Sequence, residues 1–256
     1  MFEERSLPED VAAVRERHAP EALVLDVVSD FETLEPERAE ELGLVADSLD
    51  PLAYDPSWLS ADAPELLERL VATDFVVGMP GDGSVAWTRQ TVPPTVLVKP
   101  RVEGSPDDFV DFLVAEALVE VGTDEPEHFL GFFEDRYRDV DAALPLDPNG
   151  VYQVAAALYD AYLGLHTRDV FADWEREHPR LFDAWQDAGE RIEPRLAGLP
   201  SAMASEETDF AEAAEFACAA VKHGLELPAP FAALDTEAYR DHGPAYAVKW
   251  AEKTFD

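Results

Sequence analysis

A chain of 256 residues with 47 % apolar and 29 % charged side chains has enough hydrophobic material to bury a sizeable core in one domain or two. Against 19 Lys and Arg stand 55 Asp and Glu, a formal net charge of -36, which repels nucleic-acid phosphates and anionic lipid headgroups and removes both from the expected partners. The acidic opening MFEERSLPED reads as no leader peptide, no run of 18 apolar residues offers a membrane span, and the expected location is the cytoplasm.

The same charge suits a salt-loving organism. In ordinary cytoplasm the screening length is about 8 Å and so many carboxylates repel one another, whereas at molar salt it falls to about 3 Å and a carboxylate surface keeps the protein soluble. The scarcity of Lys carries less weight, because a single Ile (Ile192) and a single Asn (Asn149) point to a GC-rich coding bias. The acidic excess has no such explanation.

Taken in chain order, Ser6 and Glu9 form an S-x-x-E capping box for a helix that carries Val11 and Val14 and stops before Pro20. The β-branched run 22–28 reads as a buried strand, followed by short helices over 36–42, with Gly43 as its stop, and 64–71. Residues 74–79 and 84–89 flank Pro80-Gly81-Asp82-Gly83 and predict a hairpin, and 95–100 predicts a further strand. Beyond Pro100 only helices are expected, the first started by Ser105 and Pro106 and ended by Gly122. The others are predicted at 126–137, 148–166, 168–177, 179–193, 206–223, 236–241 and 244–253, with 196–208 as the longest loop. Cys218, the sole cysteine, lies in an apolar helix and reads as a structural thiol.

The fold class is therefore α+β: a small mixed β-sheet with helices over 1–104, and a helical bundle over 105–256 packed on it as one continuous globular unit.

The helix FVDFLVAEALVEV, residues 109–121, is apolar almost all round and predicts burial. At about 100° per residue, Glu116 and Glu120 share the face of Phe109 and Leu113, so two carboxylates point along one line from a buried helix. The wider segment TVLVKPRVEGSPDDFVDFLVAEALVEVG, residues 95–122, resembles the strand and active helix of zincin metallopeptidases, whose buried helix bears HExxH. The resemblance implies that Glu116 stands where that family has its general base, while Ala115 and Val119 stand where it has metal-binding histidines. It thus implies a degenerate, zincin-like fold without the metal. The chain as a whole also resembles acidic haloarchaeal proteins of unknown function, which adds no site.

Glu125-Pro-Glu-His128 and Glu175-Arg-Glu-His178 show the E-x-x-H spacing of carboxylate-bridged metal sites, but an acid-rich chain produces such matches by chance, and no metal or cofactor is expected. The helix from Pro148 is more informative: Val151, Val154, Leu158, Ala161 and Leu165 form its core stripe, and Tyr152, Tyr159, Tyr162 and His166 share the adjacent face. These four, with Glu120, are the candidate ligand-binding residues, and Glu116 is the candidate catalytic residue. The glycines of 78–83 precede a strand, whereas a phosphate loop precedes a helix. The reading is a non-catalytic, halophilic cytoplasmic protein that binds a protein partner or a small ligand; the alternative is a metal-dependent hydrolase built on Glu116 with non-standard ligands.

Overall fold

The computed structural model describes residues 2–34, 36–72, 75–78 and 83–256, the side chains of residues 36 and 37 excepted. In chain order its elements are β1 (Phe2–Glu4), α1 (Glu9–His18), β2 (Leu23–Val27), α2 (Pro36–Leu42), β3 (Ser48–Leu49), α3 (Glu65–Val71), β4 (Val85–Thr88), β5 (Thr91–Val92), β6 (Thr95–Val98) and α4 (Asp107–Val121). There follow α5 (Phe129–Phe133), α6 (Tyr137–Ala143), α7 (Pro148–Glu177), α8 (Pro179–Ala204), α9 (Phe210–Ala219) and α10 (Glu237–Phe255). The architecture is α+β. Two compact units divide the chain: Met1–Tyr54, Arg69–Glu127 and Arg176–Ala184 form the first, and Asp55–Glu68, His128–Glu175 and Trp185–Asp256 the second.

The first unit holds a mixed sheet of order β1-β2-β6-β4. Its central pair, β2 and β6, is parallel with Val24 opposite Val96 and Leu25 opposite Leu97, and the two edges run antiparallel to it. Central parallel strands are covered on both faces, which is why both runs are largely apolar, with Asp26 the one charged residue in them. One face, with Leu25, Val27 and Leu97, packs on Phe31, Leu34, Val77 and the α2 residues Ala39 and Leu42. α4 packs against β4, β6 and α1. At the end of α4 a Cβ on Gly122 would stand 2.3 Å from the His18 carbonyl oxygen, so only glycine admits so close an approach of the two helix ends.

Several local expectations change. The N-cap of α1 is Pro8, without a side-chain cap, so the Ser6–Glu9 box does not form. The helix end is instead complemented by Glu9 and Asp10 in the first turn, with Arg15, Arg17 and His18 in the last. α4 likewise starts at Pro106 without Ser105 as a cap. Residues 75–78 form no strand and β4 pairs with β6, while residues 74 and 79 and the turn residues 80–82 of the expected hairpin lie outside the described residues. The fourth strand is β1, whose sequence FEE has no apolar alternation. An edge strand needs little: backbone pairing to β2 and an Arg5–Asp26 ion pair at 2.6 Å hold it. β3 and β5, also absent from the sequence reading, form a separate two-stranded ribbon.

Helices make up the second unit. α7 runs unbroken through residue 167, where the buried Thr167 hydroxyl donates to the Leu163 carbonyl at 3.0 Å and is satisfied within the helix. α8 continues through Pro194 and Pro200 to Ala204, so most of the loop expected over 196–208 is helical. Leu196 and Leu199 are buried there, and their burial offsets the bonds that the prolines remove. α9 is opened by a capping box of Asp209 and Glu212, and the expected break at Gly243 occurs, with φ 45° inside α10.

Candidate functional site

Burial of α4 follows from its composition, and Glu116 is buried with it at 6 % exposure. Ala115 and Val119, which stand where the resembled family has metal ligands, are packed as core at 0 % and 2 % exposure. Glu120, one turn on, accepts a hydrogen bond from Trp87 Nε1 of β4 at 2.7 Å. Among the described residues no three His, Cys, Asp or Glu side chains are grouped so as to hold a metal ion.

A polar cluster that the sequence did not reveal lies beside this helix. Arg89 closes the end of α4: Nη2 donates to the carbonyls of Glu120 at 3.0 Å and Thr123 at 2.7 Å, Nε to Val121 at 3.1 Å, and Nη1 to Glu125 at 2.6 Å. Of the last carbonyls of α4, those of Glu120 and Val121 thus accept from this guanidinium, while those of Leu118 and Val119 accept from Gly122 N. Glu127 accepts from Thr88 Oγ1 at 2.7 Å, Arg89 N at 2.6 Å and Gln90 Nε2 at 2.8 Å. Burial pushes the Glu127 carboxyl above its usual range, and these hydrogen bonds pull against that rise without cancelling it. Neither residue belongs to a motif, because each is defined by partners far along the chain.

His128, the histidine of one E-x-x-H match, has its Nδ1 accepting from Leu130 N at 3.3 Å as the N-cap of α5. Burial drives its pKa down to about 3. The ring is therefore a neutral helix cap.

The tyrosine face separates into two parts. Tyr152 packs on Phe129 at 5.9 Å between ring centroids, and Phe129 in turn on Tyr137 at 5.7 Å. Tyr159, Tyr162 and His166 gather farther along α7: Phe132 lies 5.1 Å from Tyr159 and 4.6 Å from Tyr162, and Tyr162 lies 4.5 Å from His166. Tyr239 stands edge-on to Tyr162 at 5.9 Å and donates its hydroxyl to the Leu158 carbonyl at 2.6 Å. Tyr152 and Tyr159 are buried at 6 % and 4 % exposure, and Tyr162 and His166 are half-buried. His166 Nε2 is covered and has no hydrogen-bond partner among the described residues. The break in α10 belongs to the same cluster, since a Cβ on Gly243 would meet Phe132 at 3.2 Å and Tyr162 at 3.4 Å. Glu120 belongs to the first unit and these rings to the second.

Among the described residues no helix is long and apolar enough to cross a membrane. Compared with known proteins, the chain matches a family model over residues 1–256, described as a family of unknown function (DUF7089). No curated protein and no solved structure matches it.

Proposed function

The chain belongs to DUF7089, a family of unknown function, and on that premise we propose that it is a non-catalytic binding protein, suited to a saline cytoplasm, that holds a small organic cation at the Tyr162–His166 edge of its ring cluster. The observation that carries this reading is the gradation of the cluster, from the buried Tyr152 and Tyr159 to the half-buried Tyr162 and His166. Buried rings fix the position of the open ones, so the edge is preorganised. Aromatic faces attract cations by about 0.5–2 kcal/mol and offer no such attraction to anions.

Calorimetric titration in about 2 M KCl tests this with benzylamine and benzoate, which match in size and differ in charge. Benzylamine is expected to bind and benzoate not. Tyr162→Leu, which keeps an apolar body and removes the π face, is expected to weaken benzylamine roughly tenfold with little change in thermal midpoint. Equal affinity for both compounds, or undiminished binding in the variant, would overturn the assignment.

A further inference from the structure

Large exposed hydrophobic side chains among the described residues are Val28, Leu44, Val45 and Val92, and Leu44 is open at 87 % exposure. Three of them lie on adjoining segments at one corner of the first unit. Leu44 and Val45 follow α2, and two residues on, Asp47 N donates to the Val92 carbonyl at 2.7 Å, where Ser48 and Val92 pair in the β3–β5 ribbon. Their exposure does not come from a slack loop. Leu44 N, Val45 N and Ala46 N all donate back into the last turn of α2, to Glu41 and Leu42. Leu42 and Ala46 take the inward positions of that turn and are buried, so Leu44 and Val45 are held outward. Gly43 packs so near β3 that a Cβ there would stand 3.0 Å from the Leu49 side chain.

Around this apolar corner Glu40, Glu41, Asp47 and Asp50 are all exposed. Scattered surface hydrophobics need no explanation, but a held-out group of three inside a carboxylate rim has the form of an interface with a hydrophobic centre and a charged border. The charge decides the occupant. A second copy would set the same four carboxylates against themselves at contact distance, where salt screens them least. A segment with apolar anchors flanked by Lys or Arg is complementary on both counts.

We propose that Leu44, Val45 and Val92, with the Glu40, Glu41, Asp47 and Asp50 rim, dock a protein segment that carries apolar anchors between basic side chains. At molar salt, where screening shortens charge attraction to about 3 Å, the apolar contact supplies the affinity and the rim pairs set the register. This surface is independent of the Tyr162–His166 reading.

The test is selection from a random-peptide display library against the full chain in about 1 M KCl, with binding of the enriched peptides then measured for the wild type, Leu44→Ser and Val92→Thr. All three proteins carry the same charge, so simple attraction of a polycation to an acidic chain does not distinguish them. The expected result is enrichment of apolar residues flanked by Lys and Arg, with affinity at least about tenfold lower in each variant and thermal midpoints unchanged. No enrichment, enrichment without basic flanks, or equal affinity for all three proteins would overturn the proposal. So would a concentration-dependent dimer of the wild type, seen by sedimentation, that Leu44→Ser abolishes.

Discussion

His128 shows at the residue scale how one environment settles a side chain's chemistry. Its Nδ1 must stay unprotonated to accept from Leu130 N, and burial holds its pKa near 3, against about 6.5 in an unfolded chain. Between those values the unfolded state binds a proton that the folded state refuses, so stability falls as pH drops through that window, by up to about 1.4 kcal/mol per pH unit. His223, lowered to about 4 chiefly by burial, acts in the same direction. Glu127 acts oppositely: its raised pKa makes the folded state hold a proton longer, and its contribution falls as pH rises through its own window. Asn also caps helices, so His128→Asn keeps an acceptor and removes the titration. Urea unfolding at pH 6.5 and pH 5 is expected to show a shallower loss of stability in His128→Asn than in the wild type; equal losses would mean that the ring is not held neutral.

Arg180 is the corresponding case at the scale of elements. It lies in the first turn of α8 and grips Asp10 of α1 through Nη2 at 2.7 Å and Nε at 3.0 Å, and Asp108 and Asp111 of α4 through Nη1 at 2.6 and 2.7 Å. The Asp10 hydrogen bond is the largest influence raising the guanidinium pKa. Burial by itself would raise the Asp10 carboxyl, but the bonds from Arg180 and from Val11 N hold it below the usual carboxylate range. Asp10 and Asp108 stand in the first turns of their helices and also complement the helix dipoles. Because the Asp111 side chain is only 9 % exposed, Arg180→Ala strands a nearly buried carboxylate and is expected to cost about 2–4 kcal/mol by urea titration in high salt. A loss under about 0.5 kcal/mol would show a screened surface pair instead.

For the molecule as a whole the governing quantity is the net charge of -36. Repulsion among surface carboxylates opposes the compact state until salt screens it. The thermal midpoint is expected to rise substantially between about 0.1 M and about 2 M KCl, as followed by circular dichroism. A flat or falling midpoint would remove the argument for adaptation to brine. Sodium sulfate also strengthens apolar burial, so KCl, a weaker agent of that effect, is the appropriate salt.

What the sequence alone determined are the features written in consecutive residues. The α+β class, the strands β2 and β6, the bounds of α2, the burial of α4, its stop at Gly122 and the break at Gly243 all follow from local periodicity and turn chemistry. Tertiary structure decided what depends on distant partners. It placed β6 between β2 and β4, drew the polar FEE segment into the sheet, and carried α8 through two prolines on the strength of buried leucines. It also divided the tyrosine face, sinking Tyr152 and Tyr159 into the core and leaving Tyr162 and His166 at the edge. Helical spacing puts those four on one side of α7, but the depth of each is set by Phe129, Phe132 and Tyr239. Those rings come from other elements, and no pattern within α7 encodes where they stand.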